Sequence, residues 1–233
     1  MEVQIGVAKV NKYASSESGD TLEVVERPGG GVSVVLADGQ RSGKSAKLIS
    51  NMVVRKVIGL LAEGVRDGAA ARAASDYLFT QRNGQVQSTL NILSIDQQSN
   101  SLVITRNNPS PVLFWLGGEI HILDEESQPV GLYRNTRPVI TELDLNPGLM
   151  VATFSDGLPF AGQRRGEALD IVDLFGQFVE RGAKPQQIAD GLMEEAFTRE
   201  DNRPGDDISV VVLGVLPRGD DLVRRMWVRL PLT

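Results

Sequence analysis

The sequence predicts an α+β fold in which sheets are layered between pairs of helices. Three observations carry that expectation. The chain reads as strands from Val3 to Ala37, switches to helical spacing at Ser45, returns to short strands from Leu90 to Phe154, and turns helical again before one last apolar strand. Turn-forming residues punctuate the strand-rich stretches at short intervals. No linker-like, low-complexity or repeated segment breaks the chain, so residues 1–233 are expected to form a single domain.

The elements follow in order. Val3–Val10 alternates as a half-buried strand does. Thr21–Arg27 and Val32–Ala37 come next, joined by Pro28-Gly29-Gly30-Gly31, a hairpin signal. From Ser45 to Gly64, residues Ala46, Ile49, Val53, Val57 and Leu60 fall on one helical face. Asp67-Gly68 opens a second, Ala-rich helix from Ala69 to about Phe79, which stops near Asn83-Gly84. Short strands are expected at Leu90–Ile95, Leu102–Thr105, Val112–Trp115, Val139–Leu143 and Leu149–Phe154, between polar turns such as Asp96–Asn100 and Asn107–Pro109. Helices are expected over about Glu167–Arg181 and Pro185–Glu200, the second with proline in its first turn. Ile208–Leu216 is a strong apolar strand. Met226–Leu232 reads as a last edge strand, and the stretch from Asp220 to Arg229 as that strand or a partner patch, its alternation favouring the strand.

Composition narrows the chemistry. With 41% hydrophobic and 23% charged residues, the chain is ordinary globular protein. Its 24 Lys and Arg against 30 Asp and Glu give a net charge of −6, the wrong sign for a nucleic-acid binder. There is no run of about 18 apolar residues, and Met1-Glu2-Val3-Gln4 does not open a signal peptide. A soluble, cytoplasmic protein with no membrane partner is expected. Cysteine is absent, which excludes disulfides, thiolate metal sites and cysteine nucleophiles. The one histidine, His121, lies in Gly117-Gly118-Glu119-Ile120-His121-Ile122, a turn feeding a short strand, and reads as a surface residue. Chemistry must therefore rest on carboxylates, hydroxyls, Lys, Arg or a hard metal ion.

Four acidic spots share one pattern: an Asp where an apolar strand meets a loop. Gly19-Asp20 precedes a strand; Val34–Ala37 runs into Asp38-Gly39; Val151–Ser155 runs into Asp156-Gly157; Gly205-Asp206-Asp207 leads into Ile208–Val212. Singly, each is equally a turn signal. Together, at one end of a sheet, they would form a pocket of converging carboxylates, costly unless cations enter it. Oxygen donors alone favour Mg²⁺ or Mn²⁺ over zinc. Asp38-Gly39-Gln40-Arg41-Ser42-Gly43-Lys44-Ser45 also mimics a phosphate-binding loop, with Asp38 where that motif needs Gly. A carboxylate there would repel the phosphates, and repeated βαβ units are missing. Thr153–Gly157 misses the nucleophile elbow at its first position.

In order, Ser18-Gly19-Asp20, Ala37-Asp38-Gly39-Gln40-Arg41-Ser42-Gly43-Lys44-Ser45-Ala46, Ser155-Asp156-Gly157 and Gly205-Asp206-Asp207-Ile208-Ser209 resemble the four motifs of the PPM-type metal-dependent serine/threonine protein phosphatases, in their small SpoIIE-like branch. The likeness spans about Val7 to Leu213. The short form and the second motif are most similar to the feedback phosphatases of stressosome signalling. The resemblance implies an α-β-β-α sandwich of two antiparallel sheets flanked by helix pairs, with two divalent cations, Mn²⁺ or Mg²⁺, at one end. Asp38 would bridge both ions, Asp20 and the Gly39 carbonyl would complete one site, and Asp156 and Asp206 the other. Asp206 rather than Asp207 matches the family ligand, since the motif accepts Asn at the second place. One departure stands out: the family's A-G-H-x-P stretch is here Arg106-Asn107-Asn108-Pro109-Ser110-Pro111, with Asn108 in place of the imidazole.

The implied activity is hydrolysis of phosphoserine or phosphothreonine on a phosphorylated protein of a stressosome or anti-sigma pathway. Phosphate monoesters hydrolyse extremely slowly unaided, and two divalent ions supply both nucleophile activation and charge neutralisation. Arg41 and Lys44 are candidate substrate contacts, although solvated loop charges have the same look. The rival readings are a nucleotide hydrolase with a degenerate phosphate loop and a non-catalytic binding module on a phosphatase fold. Retention of Asp20, Asp38, Asp156 and Asp206 speaks against the second, because drift would remove metal ligands first.

Overall fold

The computed structural model describes residues 1–219 and 222–231. Its elements run β1 (Glu2–Val10), β2 (Asp20–Glu26), β3 (Val32–Gly39), α1 (Gly43–Ala62), α2 (Asp67–Arg82), β4 (Ser88–Asp96), β5 (Ser101–Asn107), β6 (Val112–Leu116), β7 (Glu119–Leu123), β8 (Val139–Asp144), β9 (Met150–Phe154), α3 (Gly157–Phe160), α4 (Ile171–Glu180), α5 (Pro185–Arg199) and β10 (Ile208–Leu216). The strands form two antiparallel sheets, one ordered β1-β10-β9-β6-β7 and the other β2-β3-β4-β5-β8. This is the predicted sandwich, with α1 and α2 on one outer face and α4 and α5 on the other.

Period-two alternation decides which apolar layer each side chain joins. On β3, Val34 and Leu36 point between the sheets, whereas Val35 and Ala37 pack beneath α1 and α2. On β10, Val211, Leu213 and Val215 fill the space between the sheets, while Ile208, Val210 and Val212 meet Phe175 of α4 and Ile188 and Leu192 of α5. A central strand covered on both faces gains about 1.5–3 kcal/mol per buried Val or Leu on either side, so it reads as an unbroken apolar run. Strands β3 and β10 are such strands, and both carry candidate acids at one end.

Three expectations change. The helix expected from Glu167 begins at Ile171, because the Asp170 side chain accepts from the Asp173 amide at 3.0 Å and caps it there. Between Phe154 and that cap lie α3 and a 3₁₀ turn, Gln163–Arg165, where no element was expected. The predicted strand Met226–Leu232 does not form: residues 226–231 pair with no strand, and Trp227, Val228 and Leu230 are more than three-quarters exposed. Alternation alone cannot distinguish a strand from an unpaired segment. Asp220, Asp221 and Leu232 lie outside the described residues. His121 sits exposed on β7, its ring stacked on Phe114 at 4.6 Å. No helix among the described residues is long and apolar enough to cross a membrane.

Candidate active site

Asp20 opens β2 and Asp38 ends β3 one residue before its last, and the two face each other as partners across the ladder. Asp156 follows β9, and Asp206 and Asp207 precede β10, the neighbour of β9 in the other sheet. Four acids from three distant stretches of sequence thus meet at one end of the sandwich. The two glycines after the strand-end acids serve this convergence. A side chain at Gly39 would collide with the Ala46 carbonyl of α1, and one at Gly157 with the Asp207 carbonyl. These glycines let backbone segments close around the acids, not a ligand.

The electrostatics of the cluster are strained. The Asp38 carboxyl is pushed up to about 9 by its burial and by the charges of Asp20, Asp156 and Asp206. Burial likewise raises Asp20, against the lowering effect of a hydrogen bond from Ser209. Asp156 is raised by burial and then by Asp206 and Asp20. Ser209 Oγ donates to Asp20 Oδ2 at 2.6 Å, whereas Asp20 Oδ1 is buried with no hydrogen-bond partner. Two lysines brace the same residue through its backbone: Lys9 Nζ and Lys47 Nζ donate to the Asp20 carbonyl at 2.6 and 2.7 Å. Burial and the neighbouring Lys47 lower Lys9 to about 8.

The Asp206-Asp207 doublet divides its work. Asp207 is buried, its Oδ1 accepting from the Lys12 amide at 2.9 Å and its Oδ2 from the Gly19 amide at 2.8 Å. Both oxygens are therefore spent on the loop that delivers Asp20. Asp206 faces the other acids and contributes to the rise at Asp38 and Asp156. Asn108, at the family's histidine position, is buried and held by the Ser110 amide at 2.9 Å and the Phe154 carbonyl at 3.4 Å. Arg41, with φ +80°, is exposed on the turn from β3 into α1, and Lys44 is exposed in the first turn of α1. The phosphate-loop reading fails on topology, since β3 lies between antiparallel β2 and β4. Of the residues not singled out in the sequence, Ser209 occupies the Ser/Thr place of the closing motif and was findable there; Lys9 and Lys47 carry no local signal.

The residues fit hard divalent cations. The donors are all oxygens, the carboxyls resist ionising side by side, and Asp20 Oδ1 lacks a protein partner. Among the described residues no three acids or imidazoles already form a coordination shell, so the fit rests on donor chemistry and on that open oxygen.

Residues 28–216 match the family described as Stage II sporulation protein E (SpoIIE). Stage II sporulation protein E of Bacillus subtilis (strain 168) is 26% identical over 216 residues, 91% of this chain but 26% of the relative, so the chain spans about a quarter of that protein's length. Among solved structures, the PP2C phosphatase domain of B. subtilis SpoIIE with a fragment of its regulatory domain superposes with a TM-score of 0.78 at 24% identity, covering 92% of this chain and 63% of that one. RsbX in complex with magnesium gives a TM-score of 0.69 at 16% identity, covering 91% and 94%. The fold is that of the PP2C phosphatase domain, and the chain belongs to the SpoIIE family.

Proposed function

We propose that the chain is a metal-dependent phosphoserine/phosphothreonine protein phosphatase acting in the cytoplasm, with residues 1–233 as one catalytic unit. The observation that carries this is the meeting of Asp20, Asp38, Asp156 and Asp206 at one end of a PP2C fold, with Asp38 pushed up to about 9 by burial and by its acidic neighbours. Asp38 would contact both cations, Asp20 and the Gly39 carbonyl one of them, and Asp156 and Asp206 the other. When bound, Mn²⁺ or Mg²⁺ would act as Lewis acid and supply the activated water for attack on phosphorus. The protein's own part is placement. Ser209 engages Asp20 Oδ2 and leaves Oδ1 without a protein partner, Lys9 and Lys47 hold its carbonyl, and Asp207 fixes the loop before it. Asn108 has no proton to give at neutral pH, so leaving-group protonation falls to another group. Arg41 and Lys44, both exposed and close in sequence to Asp38, would contact the phosphoprotein. The stress-signalling class of partner follows from the family resemblance, supported by the likeness to RsbX.

A phosphoserine peptide tests the reading. The purified chain should release phosphate with added Mn²⁺ and stop in chelator. Full activity after exhaustive chelation would overturn it, ATP turnover without phosphopeptide activity would favour the nucleotide hydrolase, and metal binding without turnover would favour the binding module.

A further inference from the structure

We infer that Glu200 is a positioning residue that joins the two loops carrying Asp156 and Asp206 and so sets the shape of the second cation pocket. The inference rests on the metal-dependent reading above. The sheet fixes the strand ends that precede these loops, Phe154 standing opposite Val210. One more rung follows, the Ser155 amide donating to the Ser209 carbonyl at 3.0 Å, and both acids lie past it. From Asp156 the chain turns through α3 to Gly162. Toward Asp206 it comes from the end of α5, bending through Asp201 and Asn202, whose φ values of +49° and +58° are left-handed conformations that Asp and Asn tolerate better than most residues.

Glu200 stands between the two paths. Its Oε1 accepts from the Gly162 amide at 2.7 Å, in the loop that follows Asp156 and α3. Its Oε2 accepts from the Gly205 amide at 3.1 Å, the residue immediately before Asp206. Other bonds fasten the end of α5 to the first loop: Arg199 Nη1 to the Glu167 carbonyl at 3.2 Å, Arg165 Nη1 to the Arg199 carbonyl at 3.4 Å, and the Arg165–Asp201 ion pair at 2.6 Å. Of the side-chain contacts made by this end of α5, that of Glu200 alone also reaches Gly205. Bonds from backbone amides to a carboxylate are roughly twice as strong as neutral ones. A site whose ligands must be held within about 0.5 Å depends on such second-layer supports.

Two variants separate positioning from charge. Glu200→Gln keeps the length but offers one acceptor and one donor, so one of the two amides loses its partner. Glu200→Asp keeps the charge but is too short to reach both amides. Mn²⁺ titration calorimetry on the full chain, with melting curves in chelator to establish folding, reads the result directly. Wild type should bind two ions; both variants should bind the first as wild type does and the second about tenfold or more weakly. Phosphopeptide turnover should recover at high Mn²⁺ with KM unchanged, which a general loss of structure would not give. Glu195→Gln, which removes a surface acid paired to Arg199, should leave both affinities as they are. Unchanged second-ion affinity in both Glu200 variants, or a loss in Glu200→Gln alone, would overturn the inference. Failure of wild type to bind Mn²⁺ at all would instead overturn the phosphatase reading beneath it.

Discussion

Replacing Asp38 by Asn should silence the enzyme while stabilising the metal-free protein. The carboxyl rises from 3.8 to about 9 on folding, because burial and three neighbouring acids oppose its charge. Its folded-state pKa lies above its unfolded one, so between these limits the folded chain binds the extra proton and stability falls as pH rises. Each pH unit in that window costs about 1.4 kcal/mol, which sets a ceiling of about 4 kcal/mol at pH 7. Asp38 is half-buried and shares its burden with Asp20 and Asp156, so about half that ceiling is the realistic gain. Asn removes the charge and keeps the size. Melting curves in chelator should therefore show Asp38→Asn more stable by about 2 kcal/mol at pH 7, or about 4–8 °C for a chain of this length. The difference should vanish near pH 4 and widen towards pH 9. With saturating Mn²⁺, phosphopeptide turnover should fall at least about a hundredfold, on the order of 3 kcal/mol in transition-state stabilisation. A variant that melts below wild type at pH 8, or one that stays active, would show that Asp38 is an ordinary turn residue.

Other substitutions should move in different directions. Asp207→Asn leaves one of the Lys12 and Gly19 amides facing a donor, so it should destabilise by about 1–3 kcal/mol in melting curves while Mn²⁺ titration still shows two ions; loss of an ion would make Asp207 a ligand. Lys47→Met removes donors to the Asp20 carbonyl and to Thr21 Oγ1 and should lower the melting point by a similar amount. Lys44→Ala, at an exposed side chain, should cost at most about tenfold in kcat/KM, or about 1.4 kcal/mol; a thousandfold loss with metal binding intact would place Lys44 on the transferred phosphate.

Much of this architecture was legible in the sequence, for a physical reason. Strands buried on both faces, such as β3 and β10, must be apolar throughout, so an Asp at the end of the run marks the rim of the sheet. That is how Asp20, Asp38, Asp156 and the Asp206-Asp207 doublet stood out, the resemblance to the phosphatase motifs then choosing Asp206. What sequence could not show is which oxygen faces what. Asp206 and Asp207 are the same residue type side by side, and only the tertiary path of the loop at Lys12–Gly19 assigns one to the backbone. A glycine beside a strand-end acid signals a close approach, but only the fold shows that backbone makes it, the Ala46 carbonyl at Gly39 and the Asp207 carbonyl at Gly157. Lys9, Lys47 and Glu200 act through contacts that only the tertiary path brings together, with no local pattern to mark them. Residues 222–231 alternate like a strand but join no ladder among the described residues, although Arg224 pairs with Glu26 at the end of the edge strand β2 at 3.5 Å.

The most direct test of the central claim is a crystal structure of Mn²⁺-soaked protein with anomalous scattering measured at the manganese edge. Two peaks should appear, both in contact with the Asp38 carboxylate, one also with Asp20 and the other with Asp156 and Asp206, and neither with Asp207. Absence of both peaks at saturating Mn²⁺, or a peak coordinated by Asp207 in place of Asp206, would contradict the account.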